Sequence, residues 1–195
     1  VLKIDRAHID KPVYVDGKTG KQYVYQGHKK DYKGSILSSN TAEFQPKKDD
    51  HVVEFLFRQQ TGVEVIHKDL YTTTLLKPTQ TTTGLRTTKK DFKAEKEITK
   101  DGKTYVYHGY KINKKGSILP ESTYNHTYGT EGVTIEFLYK LKRTVTVNYL
   151  DFFTNKTVQP SLVETYLQKD KYSYTPLKTI MQDETNAVYH FFNAT

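Results

Sequence analysis

Thr134-Ile135-Glu136-Phe137-Leu138-Tyr139-Lys140 alternates with a period of two, which sets Ile135, Phe137 and Tyr139 on one face. That period belongs to a β-strand with one buried side, because successive side chains of a strand point to opposite faces. Val52-Val53-Glu54-Phe55-Leu56-Phe57-Arg58 follows the same plan with Val53, Phe55 and Phe57. Thr144-Val145-Thr146-Val147-Asn148-Tyr149 follows it with Val145, Val147 and Tyr149. The surrounding sequence is rich in Tyr, Phe, Val, Ile and Thr, the residues that fit a pleated, half-buried surface. Turn signals separate these runs at Asp16-Gly17, Asp101-Gly102, Lys33-Gly34-Ser35 and Lys115-Gly116-Ser117. The best helix candidate, Thr87 to Ile98, is short, and its charges leave no clear apolar stripe. A mainly β protein with an α+β tendency is expected.

The strand windows belong to an internal repeat. Gly20-Lys21-Gln22-Tyr23-Val24-Tyr25-Gln26-Gly27 returns as Gly102-Lys103-Thr104-Tyr105-Val106-Tyr107-His108-Gly109, an offset of 102 − 20 = 82. With no gap, Gly34-Ser35-Ile36-Leu37 falls on Gly116-Ser117-Ile118-Leu119, and 12 of the 18 positions from 20 to 37 are identical. The same offset carries Val63, Val65, Asp69, Thr72 and Pro78 onto Val145, Val147, Asp151, Thr154 and Pro160. Three units are predicted: 1–61, lacking its N-terminal part; 62–143, complete; and 144–195, truncated or short, with Ala187–Phe192 as a candidate closing strand. The Thr-rich stretch from Thr72 to Thr88 occupies a fixed place in the repeat, so it is expected to be strand and loop rather than a mucin-like linker. The junctions, Gln60-Thr61-Gly62 and Lys142-Arg143-Thr144, are short enough to restrict relative motion of neighbouring units.

Composition narrows the chemistry. The 195 residues suit two or three domains. Cysteine is absent, which removes disulfides, thiolate metal sites and cysteine nucleophiles together. No apolar run is long enough to cross a bilayer as a helix, so no membrane insertion is expected. The start at Val1 carries no export-signal pattern, so any such signal is expected outside this segment. The net charge of +8 invites a polyanion reading. The lysine pairs Lys29-Lys30, Lys47-Lys48, Lys89-Lys90 and Lys114-Lys115 are dispersed, however, and arginine, the usual base-reading residue, is rare. No specific nucleic-acid partner is expected.

Motifs for catalysis are missing. The seven histidines, at 8, 28, 51, 67, 108, 126 and 190, show no metal-ligand spacing. No nucleophile elbow or phosphate loop is present, and Asp49-Asp50 and Asp183-Glu184 read as solvated turns. Neither an enzyme nor a cofactor or metal is expected. Sequons at Asn125, Asn155 and Asn193 matter only in a eukaryotic secretory setting. The pairs Tyr23/Tyr25 and Tyr105/Tyr107 are expected on the core face. The candidate ligand-binding set is Tyr110, Lys111 and His108 with His28 and Lys29, because aromatic rings beside cations can stack on sugars and bond their hydroxyls. Tyr110 leads this set: it replaces His28 of the first unit, which suggests a position free of packing duty.

Val145-Thr146-Val147-Asn148-Tyr149-Leu150-Asp151, followed by Thr154-Asn155-Lys156 and Pro160, resembles the opening of mucin-binding-protein (MucBP-type) repeats of Gram-positive surface proteins. Val133–Lys140 and Val52–Arg58 resemble the family's closing strand, whereas His67 stands where the opening usually has Tyr. The resemblance implies tandem β-grasp, ubiquitin-like modules in an elongated array, exported, monomeric and attached to the bacterial cell wall. It implies weak, multiplied contacts with host mucin or glycoprotein glycans. The alternatives are a structural stalk that projects a distal binding domain and a non-specific polyanion binder. No Lys–Asn isopeptide crosslink is expected, since no triad can be picked from spacing.

Overall fold

The computed structural model describes residues 2–5, 13–39, 41–44, 50–182 and 187–191. Lys47-Lys48, Asp49, Asp183-Glu184, His8 and the sequon at Asn193 lie outside the described residues.

Sixteen strands follow one another among the described residues: β1 (Leu2–Asp5), β2 (Val13–Val15), β3 (Gln22–Lys30), β4 (Lys33–Leu37), β5 (Thr41–Phe44), β6 (Val53–Asp69), β7 (Gln80–Leu85), β8 (Lys89–Lys93), β9 (Glu97–Lys100), β10 (Lys103–Ile112), β11 (Lys115–Leu119), β12 (Thr123–Thr127), β13 (Val133–Leu150), β14 (Thr157–Leu167), β15 (Thr179–Gln182) and β16 (Ala187–His190). The protein is mainly β, and the described residues contain no helix. The stretch Thr87–Ile98, expected as the best helix candidate, forms β8 and the start of β9 instead. Its apolar residues are too widely spaced for a helical stripe, and Phe92 and Ile98 each enter the core from a separate short strand.

β6 and β13 organise the molecule. Each is far longer than the usual strand of about five or six residues, with 17 residues in β6 and 18 in β13. The first half of β6 pairs antiparallel with β3, from Gln22↔Gln60 to Lys30↔Val53. Its second half pairs antiparallel with β7 and parallel with the first half of β13, from Val63↔Val133 to Asp69↔Tyr139. β13 in turn pairs antiparallel with β10 through its first half and with β14 through its second. The expected junctions, Gln60-Thr61-Gly62 and Lys142-Arg143-Thr144, therefore lie inside continuous strands. The central sheet over residues 62–143 runs β7-β6-β13-β10, with β9 and β11 both on β10.

The offset of 82 relates many of these registers. Tyr23↔Gln59 corresponds to Tyr105↔Leu141, His28↔Phe55 to Tyr110↔Phe137, and Gln60↔Leu85 to Lys142↔Leu167. The tight turns correspond as well, two residues earlier than the expected Lys-Gly-Ser triplets. Asp31-Tyr32 and Asn113-Lys114 both take positive φ, the pattern of a two-residue hairpin turn that matches strand twist. Asp and Asn tolerate that region best among residues with a side chain. Asp31 Oδ1 accepts from Val52 N at 2.9 Å, and Asn113 Oδ1 accepts from Thr134 N at 2.9 Å. Gly34 and Gly116 lie within β4 and β11.

The Asp of the family-like opening has a local task. Asp69 Oδ1 accepts from Tyr71 N (2.6 Å) and Thr72 N (3.1 Å), closing the loop towards β7. Asp151 Oδ1 accepts from Phe153 N (3.2 Å) and Thr154 N (2.7 Å) in the corresponding loop. These are Asx-type turns, in which a short carboxylate satisfies backbone donors that no strand can reach. Beyond this loop the Thr-rich stretch enters the sheet as β7.

The core of residues 62–143 lies on one face of the sheet. Val63, Val65, Ile135, Phe137 and Tyr139 from the sheet pack with Phe92 from β8, with Tyr128, and with Tyr124 from β12 at the margin. The β8–β12 pair thus closes over the apolar face that the alternation of β13 predicts. β16 pairs antiparallel with β15, and Phe192 at the end of the candidate closing strand Ala187–Phe192 lies outside the described residues.

Candidate functional site

The five predicted contact residues divide between two faces, and a bulge decides the division. Along β10 the alternation sends Tyr105 and Tyr107 inward and His108 outward. Between Tyr107 and Gly109 the register against β13 shifts. The extra residue turns Tyr110 back to the inner face. Tyr110 is 6% exposed, with its ring 5.6 Å from that of Tyr124 and 6.2 Å from that of Phe137. The expectation that Tyr110 is free of packing duty is therefore corrected: it is a core residue, and burial pushes its hydroxyl pKa up. β3 carries the same shift between Tyr25 and Gly27, and His28 is buried at 1% exposure. His28 Nδ1 lies 3.0 Å from Ser39 O, and its ring faces Phe55.

Glycine makes the bulge possible. A Cβ on Gly109 would sit 2.6 Å from Leu119 O and against the Ile118 side chain, and one on Gly27 would sit 2.5 Å from Leu37 O. An isolated glycine inside a strand pattern is the sequence signal for this feature; the alternation alone misses it. Beside the bulge, Tyr107 OH donates to Glu121 O at 2.5 Å, and Tyr25 OH donates to Ser39 O at 2.7 Å. Burial is the main reason that the Tyr107 pKa is pushed up to about 12.

The other predicted residues point outward and form no common site with the buried pair. Lys29 and Lys111 are half-buried and lie across the ladder from Glu54 and Glu136. His108 is exposed near Lys140 and Asp170; burial first, and Lys140 second, lower its pKa, with Asp170 opposing. Lys140 Nζ bonds Asp170 Oδ1 at 2.7 Å. Lys169 Nζ lies 4.4 Å above the Tyr71 ring, so His108 borders a contact between the loop after β6 and the end of β14.

A cleft of about 370 Å³ lies where β6 passes from one pairing to the next. Lys21 and Glu131 bridge across it at 2.9 Å. Gln59 Nε2 donates to Thr130 O at 2.8 Å, Thr61 Oγ1 to Gly129 O at 3.3 Å, and Gln60 Nε2 to Thr83 Oγ1 at 2.8 Å. These amides and hydroxyls suit a polyhydroxylated ligand chemically, yet much of their bonding capacity already holds the joint together. Sequence reasoning missed them, since Gln59 and Thr130 are 71 residues apart. A smaller cleft of about 240 Å³ opens between β6 and β8, lined by Val65, His67, Lys77, Phe92, Glu95 and Phe137. His67 Nδ1 there lies 3.0 Å from Tyr139 OH, and burial holds the His67 pKa below its ordinary value.

The joint is built the same way twice. Arg86 N donates to Gln59 O at 2.8 Å, and Gln168 N donates to Leu141 O at 2.8 Å, each pair 82 residues from the other. Among the described residues no group of three or more His, Asp or Glu is arranged to hold a metal. No family model, curated protein or solved structure matches the chain.

Proposed function

We propose that the chain is a stalk-forming segment of tandem repeats from a Gram-positive cell-surface adhesin, built from β-grasp-like units of the mucin-binding-protein type. The observation that carries this reading is the continuity of β6 and β13. Each finishes one unit and begins the next, and each crossing is tied by the same backbone hydrogen bond. The order β7-β6-β13-β10, with β6 and β13 parallel at its centre, supports the β-grasp-like topology. The β8–β12 pair stands over the sheet face that a helix covers in a ubiquitin-like fold.

A strand that crosses a joint fixes the angle between units, which suits projection away from a wall. Contact with mucin glycans is assigned to the polar joint cleft around Gln59, Gln60, Thr61 and Thr130, with His108 and Lys111 on the outward face of β10. Each contact is weak alone and gains by repetition. Small-angle scattering tests the stalk: a compact globule of this length has a radius of gyration of about 16 Å, and the stalk requires a clearly larger value with a rod-like profile. Binding to immobilised mucin, desialylated mucin and heparin at about 0.15 M and about 0.5 M salt tests the adhesin. Mucin binding that survives salt and exceeds heparin binding supports it. Binding abolished equally on all surfaces by salt overturns it.

A further inference from the structure

We infer that residues 62–143 form a shear clamp, a unit whose further function is to carry tension along the chain. The argument rests on where the chain enters and leaves. It enters through β6 at Gly62 and runs to Asp69; it leaves through β13, which runs from Val133 to Leu141 and onward into the next pairing. These two segments are direct neighbours, parallel, and in register over seven pairs from Val63↔Val133 to Asp69↔Tyr139. Leu70 N adds a bond to Tyr139 O at 2.8 Å beyond the last pair.

Tension on the chain pulls β6 from its N-terminal end and β13 from its C-terminal end. Because the strands are parallel, those forces point in opposite directions along one ladder. The hydrogen bonds of a parallel ladder are evenly spaced, so the load falls on all of them together instead of opening them singly from one end. Water cannot easily replace them: Val63, Ile135, Phe137 and Tyr139 are almost completely buried. β7 flanks β6 and β10 flanks β13, so neither clamped strand lies at a sheet edge. The tie of Gln168 N to Leu141 O sits just where the load leaves. This inference rests on the stalk reading for its purpose, but its geometry stands on the ladder alone.

The absence of cysteine supplies the test, since two introduced thiols are then the only handles in the full chain. The pair Asp50→Cys with Thr144→Cys uses exposed positions and pulls the ladder in shear. The pair Thr73→Cys with Thr144→Cys, also exposed, pulls both strands from the same end and peels it. Far-UV circular dichroism and thermal melting establish that both variants keep the native fold. Forced unfolding reports the rate of crossing the unfolding barrier rather than equilibrium stability, so the two variants separate in rupture force even with equal melting temperatures. In optical-trap extension at one loading rate, the expected result is a rupture force several-fold higher for the shear pair. Equal forces, or a higher force for the peeling pair, overturn the clamp. A rod-like scattering profile combined with equal forces overturns the clamp while leaving the stalk, and a flexible profile with a strong clamp does the reverse.

Discussion

Gly109→Ala is the substitution that most directly tests the bulge that puts Tyr110 in the core. The added Cβ would lie 2.6 Å from Leu119 O and against the Ile118 side chain. The obstructing oxygen belongs to the backbone of a paired strand, so relief requires β10 and β11 to separate or the bulge to move. Overpacking of this kind costs about 1–3 kcal/mol, and a backbone angle reserved for glycine adds on the order of 1–3 kcal/mol. Gly109 has φ 157° and Gly27 has φ 137°. Gly116 is the control: its φ is 74°, but a Cβ there meets nothing within 4 Å. Gly116→Ala should cost only the left-handed strain, about 1 kcal/mol. For a unit of this size 1 kcal/mol shifts the melting temperature by about 4–8 °C. A total of about 3 kcal/mol for Gly109→Ala thus predicts a fall of about 12–24 °C, against about 4–8 °C for Gly116→Ala. The chain has no tryptophan and 16 tyrosines, so tyrosine fluorescence with circular dichroism follows the transition. Equal shifts for the two variants would refute the reasoning, because an added Cβ meets a paired backbone at Gly109 and nothing at Gly116.

Two further outcomes are expected. Glu136 is buried and bonded to Lys68 Nζ at 2.6 Å, so Lys68→Ala strands a carboxylate in the sheet. Urea denaturation should show a loss near the lower end of the roughly 3–5 kcal/mol typical of a broken buried pair, since Lys68 is partly exposed, and the double variant with Glu136→Gln should recover much of it. Stability should also fall in acid in two stages. His67 and His126 are held below their ordinary value chiefly by burial, with Lys77 adding to the effect at His67. The native state therefore takes up fewer protons than the unfolded chain. Their contribution is complete above about pH 6.5 and is lost as pH falls through the lowered native values. Asp16, Asp31 and Asp151 are lowered by hydrogen bonds, so their smaller contributions disappear only below the ordinary carboxylate range. The double variant His67→Gln with His126→Gln should flatten the first stage in denaturant titrations at pH 7.5 and 5.5, while an unchanged slope would remove these histidines as its cause.

Period-two patterns located the central strands because burial on one face leaves a local trace. Ile135, Phe137 and Tyr139 are all buried, while in the second half of β13 Val145, Val147 and Tyr149 are half-buried between exposed neighbours. The change of register at Gly109 leaves a trace of one residue only, so an alternation carried past it assigns Tyr110 to the wrong face. The turns were displaced for a related reason: Lys-Gly-Ser looks like a turn, whereas the actual turns use Asp31-Tyr32 and Asn113-Lys114, whose positive φ is less visible in sequence than a glycine. The joint cleft was not legible at all. Its groups come from Lys21, Gln59, Thr83 and Glu131, and only the fold brings these polar residues together.

The shared strands also change what the repeat means physically. A repeat whose units are joined by a flexible loop can rearrange without disturbing either core. Here the backbone of Gln59 pairs with Tyr23 of β3 and accepts from Arg86 beyond β7, while its side chain reaches Thr130. Rotation at the joint would break all three contacts and split a ladder in mid-strand. Each buried amide left without a partner carries a desolvation penalty of about 1–3 kcal/mol, which is large against the thermal energy available to bend the joint. The same residues that line the polar cleft therefore hold the two halves of β6 in one continuous ladder. On the proposed adhesin reading, ligand contact at that cleft has to leave those bonds in place, which favours shallow, repeated recognition of hydroxyl groups over a deep single site.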